Sequence, residues 1–336
     1  MKVMLFSARS YDRQSMESVN GARHELQYTD VGLSAETAPM AHGFPAVCGF
    51  VNDGFSAQVL DILANGGTRL VTLRSTGFNN VDLEAAVRAG ITVMRVGHYS
   101  PYSVAEFAVC LIQALNRKIH KAYVRAREDY FLLDGLLGFD LHGKTVGIVG
   151  TGKIGQVLAT IMNGFGCRLL GHDVHENAAC RALGLEYVGL DELLAQADIV
   201  SLHAPLTPDT YHLIDARALD LMKPGAIVIN TSRGALVDTR ALIAALKSGR
   251  LGGAGLDVYE EEEGIFFHDR SSQIMLDDVF ARLLTFRNVI VTGHQGFFTR
   301  EALDDIAKAT IDNISDFEAG VGNANVLSSE GSGKVA

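Results

Sequence analysis

The sequence predicts an α/β protein of two Rossmann-like or flavodoxin-like parallel-sheet units with a cleft between them. Three observations predict it. Short apolar runs alternate with helical patterns along most of the chain. In mid-chain a glycine loop, Gly150-Thr151-Gly152-Lys153-Ile154-Gly155, joins the apolar run 145–149 to a helical pattern. A last helical pattern, 299–318, has no strand after it and can return to the first unit. Strands alternating with helices imply a parallel sheet with helices on its faces.

The elements follow in order. Residues 2–8 read as a strand, 12–19 as a helix, 24–29 and 46–51 as strands and 57–63 as a helix. A strand at 69–73, a helix at 82–88 and a strand at 91–96 complete a first unit that lacks the glycine loop. Pro101 then precedes Ser103-x-x-Glu106, a capping-box pattern opening a long helix. Its apolar positions (Val104, Phe107, Ala108, Leu111, Ile112, Leu115) are too many for one face and imply burial on several sides. A charged continuation, 117–129, ends in Tyr130-Phe131-Leu132-Leu133. Apolar residues on a charged arm suggest a subunit contact, with a packed loop as the other reading. After Asp173 the alternation resumes: strands at 197–203, 226–230, 253–258 and 288–292, helices at 215–222 and 238–246. An irregular acidic insertion spans 260–286, and the tail from Ser328 is Ser/Gly-rich and expected to be disordered. The predicted division is 1–100 with 299–336, around a central 101–298.

Composition narrows the function. The chain has 336 residues, 48% apolar and 20% charged, enough for one or two buried cores. A net charge of −10 argues against nucleic-acid and anionic-membrane partners. No apolar run reaches membrane-spanning length, and the apolar start is too short for a signal peptide. Cys48, Cys110, Cys167 and Cys180 show neither paired nor metal-ligand spacing, and Cys110 and Cys167 fall on apolar faces. Reduced, buried thiols in the cytoplasm and no metal site are expected.

The glycine loop carries the first functional signal. Gly150 permits the tight turn, Gly152 lets backbone approach a pyrophosphate, and Gly155 lets helix pack on strand. Lys153 and Ile154 open the helix, whose N-terminal N–H groups suit phosphate. Asp173, at the end of the next strand, can accept hydrogen bonds from the adenine ribose hydroxyls. It would repel a 2′-phosphate, and no Arg follows, so NAD is expected over NADP.

NAD chemistry needs a substrate-binding cation and a group that moves a proton. Both should lie at strand C-terminal ends of the second unit. Arg233 is one candidate, since a guanidinium fork holds a carboxylate in two hydrogen bonds, although a surface Arg reads the same way. His294 is another, an imidazole able to give or take a proton near neutrality. A carboxylate beside it would favour the imidazolium, and Glu260, Glu261, Glu262 and Glu263 are all open choices or a solvated acidic loop.

The chain resembles the D-2-hydroxyacid dehydrogenases, in particular their bacterial fermentative branch. The resemblance covers nearly its whole length: Arg74-Ser75-Thr76-Gly77-Phe78-Asn79-Asn80-Val81-Asp82, the nucleotide loop, and the stretches 230–238, 255–262 and 293–297. It implies reversible NADH-dependent reduction of a small 2-oxo acid to the D-2-hydroxy acid, with pyruvate to D-lactate favoured. Phenylpyruvate, hydroxypyruvate and glyoxylate are alternatives. Phosphoglycerate is disfavoured by the lack of a regulatory domain or basic phosphate pocket. An NAD-sensing corepressor is the non-enzymatic alternative. The resemblance makes Arg233 the carboxylate binder, His294 the acid/base and Glu262 its partner. It places substrate contacts at the Thr76 and Gly77 backbone, Tyr99, Phe50 and Phe297, the two phenylalanines reading equally as core. Cofactor lining falls to His203, Pro205, Thr231 and Asp257, with His203 also readable as structural. Phe107 and Gly296 depart from the family pattern, where His and Ala are common. A homodimer, possibly a homotetramer, is expected.

Overall fold

The computed structural model describes residues 1–328; the remainder of the tail expected to be disordered lies outside the described residues. Contacts divide the chain into two units. One is Met1–Ser100 with the described residues from Phe298 on, and the other is Pro101–Phe297.

The first unit contains β1 (Lys2–Leu5), α1 (Ser10–Asn20), β2 (Glu25–Tyr28), β3 (Ala46–Gly49), α2 (Ala57–Asn65), β4 (Leu70–Leu73), α3 (Leu83–Arg88) and β5 (Thr92–Met94), plus the C-terminal helix Arg300–Glu318. Its parallel sheet runs β2-β1-β3-β4-β5. Alternate residues serve opposite faces. Met4, Phe6, Val47 and Val71 pack with Leu60 and Leu63 of α2 and Ala85 of α3. Val3, Leu5, Ala46 and Leu70 pack with Met16 of α1 and with Ala307, Ile311 and Ile314 of the C-terminal helix. Burial on both faces is why these strands read as unbroken apolar runs. Ser56, Asp82 and Thr299 cap the helices that follow them by accepting backbone N–H bonds.

The second unit opens with α4 (Pro101–Asn116) and α5 (Ile119–Arg127). Here the structure corrects the sequence in three places. Helix α4 starts at Pro101, and Ser103 is buried inside its first turn, so it is no cap. Proline's fixed φ suits the first helical position, which defeats the capping-box reading. Cys110 is exposed, in line with exposed Tyr102 and Glu106 along one stripe of the helix. Finally, the charged continuation is a separate helix, broken at Lys118, whose φ is +52°.

The rest is β6 (Thr145–Val149), α6 (Lys153–Gly164), β7 (Arg168–His172), α7 (Ala178–Ala182), β8 (Glu186–Tyr187), α8 (Leu190–Gln196), β9 (Ile199–Leu202), α9 (Ala216–Leu221), β10 (Ala226–Asn230), α10 (Thr239–Lys247), β11 (Leu251–Leu256), α11 (Asp278–Leu284) and β12 (Val289–Val291). The sequence reading missed α7, β8, α8 and α11. All are short, and β8 is a two-residue strand at the sheet edge. The parallel sheet runs β12-β11-β10-β9-β6-β7-β8. Strand order reverses between β6 and β9, and the glycine loop leaves β6 at that switch point, where doubly wound sheets bind ligands. Leu111, Ile112 and Leu115 of α4 and Leu158 and Met162 of α6 cover one face; helices α8, α9 and α10 cover the other.

Candidate active site

The glycine loop has the geometry its spacing predicts. Gly150 has φ +91°, and a Cβ there would stand 2.6 Å from the Ala204 nitrogen. A Cβ on Gly155 would lie 2.0 Å from the Gly150 carbonyl oxygen, so helix and strand approach as only glycine allows. Around Gly152 a Cβ would meet nothing within 4 Å. That is open space beside the N-terminus of α6, which no side chain caps. That space suits a phosphate, which the Lys153 and Ile154 N–H groups would hold.

Asp173 sits at the end of β7, and its carboxylate is already ordered. One oxygen accepts the Thr151 N–H at 2.6 Å, and the other accepts the His175 N–H at 3.1 Å. Burial pushes its pKa up, but these hydrogen bonds outweigh burial and hold it below the usual carboxylate range. An ionised acceptor therefore persists at neutral pH. Thr151 is fixed in turn by Tyr187, whose hydroxyl donates to Thr151 Oγ1 at 2.8 Å, and by Asn177, which donates to Thr151 O at 2.9 Å. The sequence reading missed this support because Tyr187 lies on β8, the strand it did not see.

The ends of β9 and β10 bring His203 and Thr231 to the same edge of the sheet. His203 Nε2 bonds Ser201 Oγ at 2.8 Å, and burial lowers its pKa to about 4, so it is neutral. His203 Nδ1 and Thr231 Oγ1 are buried without a protein partner. Two orphaned polar atoms beside a phosphate cradle are what a polar cofactor would satisfy. Pro205 is exposed next to them.

Asp257 follows β11 and is 1% exposed. Its carboxylate accepts Thr292 Oγ1–H at 2.6 Å, Gln295 N–H at 2.9 Å and Gly296 N–H at 2.7 Å. Its carbonyl accepts the His294 N–H at 2.7 Å. These bonds hold His294 in a left-handed conformation, φ +53°, costly for a non-glycine residue. Asp257 thus anchors the His294 turn, a role the sequence did not suggest.

His294 Nδ1 meets Glu262 Oε1 at 2.8 Å, and Glu262 Oε2 accepts the Tyr259 N–H at 3.1 Å. Glu262 is therefore the one of four neighbouring glutamates that faces the imidazole. The Phe267 ring lies 5.8 Å from the His294 ring. Arg233 follows β10, with Nη1 donating to the Ser232 carbonyl at 2.7 Å. No hydrogen bond joins Arg233 to His294 or Glu262 among the described residues. Phe107 and Gly296, the two departures from the family pattern, are neighbours: a Cβ on Gly296 would lie 3.4 Å from the Phe107 ring. Phe297 is half-buried at the end of this unit.

In the first unit, the turn after β4 holds Thr76 and Gly77. Arg95 donates to Thr76 O at 2.9 Å and Ser75 Oγ donates to Gly77 O at 2.7 Å, fixing the peptide planes. Asn80 donates to Phe50 O and Asp53 O, tying the Phe50 loop to the same turn. Phe50 is buried, with the Arg74 guanidinium 5.5 Å from its ring centroid, and Tyr99 is half-buried. Arg74 itself is fully buried and paired with Asp12 at 3.2 Å. The sequence reading used Arg74 only as part of a motif.

A doubly wound sheet with a glycine turn and an uncapped helix N-terminus at its switch point, an ordered carboxylate at the next strand end and a His–Glu pair at neighbouring strand ends is the arrangement of an NAD-dependent dehydrogenase. A family model described as D-isomer specific 2-hydroxyacid dehydrogenase, NAD binding domain, matches residues 109–296. The chain belongs to this family. It is 50% identical over 329 residues to 2-hydroxyacid dehydrogenase homolog 1 of Schizosaccharomyces pombe, covering 97% of this chain and 99% of that one. It is 47% identical over 321 residues to D-lactate dehydrogenase of Escherichia coli, covering 95% and 98%. The apo-structure of the Escherichia coli enzyme superposes with a TM-score of 0.90 over 97% of this chain and 100% of that one, at 46% identity. The cofactor is NAD.

Proposed function

We propose that the protein reduces pyruvate to D-lactate, reversibly, with NADH. The observation that carries this reading is the His294–Glu262 pair at 2.8 Å, on the same unit as the nucleotide cradle. Bound NADH supplies the hydride to the carbonyl carbon. Every other part falls to the chain. Arg233 turns from its own backbone contact to take the substrate carboxylate in two charge-assisted hydrogen bonds. Further substrate contacts are assigned, on the family resemblance, to the Thr76 and Gly77 N–H groups and to Tyr99, Phe50 and Phe297. Glu262 accepts from His294 Nδ1, which leaves Nε2 to give its proton to the carbonyl oxygen as the carbon is reduced. In the oxidative direction Nε2 takes that proton back from the hydroxyl.

The chain is further assigned to the cytoplasm, where its four free cysteines stay reduced, and to a homodimer, with a homotetramer as the larger form. Burial raises the pKa of Cys48, Cys167 and Cys180, keeping those thiols unreactive. The deciding experiment is NADH oxidation with pyruvate followed by chiral analysis of the product, alongside a panel of bulkier 2-oxo acids. D-lactate is the expected product; L-lactate, or no turnover with any 2-oxo acid, overturns the reading. His294→Gln is expected to lower kcat at least about 100-fold, the usual contribution of a general acid, while NADH still binds. Unchanged turnover would remove His294 from the mechanism.

A further inference from the structure

We propose that Glu260 is a positioning residue. Its carboxylate braces the turn carrying Glu262 against the segment carrying Arg233, and so sets the acid–base pair relative to the guanidinium that holds substrate. The inference rests on the reading of Arg233, Glu262 and His294 as the reacting set.

The acidic run has an inward and an outward side. Glu260 and Glu262 are partly buried, while Glu261 and Glu263 are exposed. Each inward carboxylate takes a different histidine. Glu262 takes His294, and Glu260 Oε1 meets His212 Nε2 at 2.5 Å. Glu260 Oε2 accepts Thr239 Oγ1–H at 3.1 Å and the Thr239 N–H at 3.4 Å. Both partners of Glu260 flank the segment that follows Arg233. His212 donates its N–H to Ala235 O at 2.8 Å, and its ring stacks on Tyr211 with centroids 4.0 Å apart. Thr239 opens α10.

The two segments touch directly between these anchors. A Cβ on Gly234 would stand 2.0 Å from the Tyr259 carbonyl carbon and 2.3 Å from the Glu260 nitrogen. The residue after Arg233 therefore lies flush against the peptide that leads into the Glu262 turn. One peptide earlier, the Tyr259 N–H donates to Glu262 Oε2. The Tyr259 ring is pinned as well, by a 2.7 Å bond from its hydroxyl to Asp277 and by contact with Phe280. Releasing Glu260 leaves the Tyr259–Glu260 peptide with one anchor fewer. Glu262 and Arg233 can then drift against each other without any loss at the cofactor cradle. Small misplacement of reacting groups is expensive, since about 1 Å can cost about 100-fold in rate.

The test compares Glu260→Ala, Glu260→Gln, His212→Ala and the Glu260→Ala/His212→Ala double variant of the full chain, with His294→Gln as reference. Steady-state kinetics with pyruvate are measured beside NADH titration by nucleotide fluorescence. For Glu260→Ala we expect kcat to fall and KM for pyruvate to rise, lowering kcat/KM by about 10–100-fold, with NADH affinity and stoichiometry unchanged. Glu260→Gln should recover most of the loss, because its carbonyl can accept from Thr239 while its amide can still meet His212 Nε2. The double variant should be no worse than Glu260→Ala, because both changes break one brace. If Glu260→Ala misfolds, His212→Ala decides, with a fall in kcat and a rise in KM for pyruvate expected at unchanged NADH affinity. The proposal is overturned if His212→Ala and the Glu260 variants keep kcat and KM within about twofold of the parent, or lose activity only in proportion to lost NADH sites. In either case His294→Gln must show its fall of at least about 100-fold in kcat; if it does not, the reading of the acid–base pair has failed instead.

Discussion

Asp257 shows how much one side chain can decide. Burial raises its pKa, and the donors from Thr292, Gln295 and Gly296 oppose that rise. All three need an oxygen. In Asp257→Asn one of the two oxygen positions becomes an NH2 group that faces a donor. Leaving such a buried donor unmatched costs about 1–3 kcal/mol. The cost falls on the turn that forces His294 to φ +53°. We therefore predict that Asp257→Asn loses about 2 kcal/mol of stability in denaturant unfolding and most of its turnover. The variant should still bind NADH through the α6 cradle. Full activity with unchanged stability would show that His294 holds its conformation without Asp257.

At the scale of elements, helix α6 offers a matched pair of glycines. Gly155 faces the Gly150 carbonyl at a distance only a hydrogen allows, and both sides of that contact are backbone. Gly155→Ala should therefore cost about 2–3 kcal/mol or more and abolish NADH binding, because overpacking here moves the phosphate loop itself. Gly164, in the last turn of the same helix, has nothing within 4 Å and no positive φ. Gly164→Ala should stabilise by up to about 1 kcal/mol and leave NADH affinity alone. Urea unfolding and nucleotide titration of both variants check the contrast; equal behaviour would mean that the close approach does not matter. These two glycines also show what the sequence can and cannot say. The loop was legible because its spacing and its flanking elements encode one geometry. The long strands were legible because burial on both faces makes them uniformly apolar. By contrast, α7, β8 and α8 are too short to show a period, and α11 lay inside an acid-rich stretch that reads as loop. The choice of Glu262 among four glutamates came from resemblance, since residue type alone treats all four alike. Glu260 and His212 were illegible for a related reason. Their meeting depends on a turn closing across 48 residues, and no local pattern records that.

On the scale of the whole molecule, the question is what covers α5 and the segment behind it. None of the residues of α5 is buried. Its Ile119, Tyr123 and Val124 are more than half exposed, as are Phe131, Leu132, Leu133 and Leu137 of the segment behind it. The packed-loop reading of this arm does not hold, because its apolar side chains point into solvent rather than onto a core. Single exposed apolar residues are ordinary, whereas several close together in sequence are what a surface awaiting a partner would show. Full burial of one such side chain stabilises by about 1.5–3 kcal/mol, so several together can hold two chains. A second copy of this chain presents the same surface, and a two-fold interface needs only that self-match. We predict that the parent sediments as a dimer or tetramer at micromolar concentration. Phe131→Ser/Leu133→Ser/Leu137→Ser should shift it toward the monomer. NADH binding per chain should persist in that variant, because the nucleotide cradle draws on residues 150–173 and not on the arm. A parent that sediments as a monomer would overturn the assignment of an oligomer, and a triple variant that assembles like the parent would move the interface elsewhere.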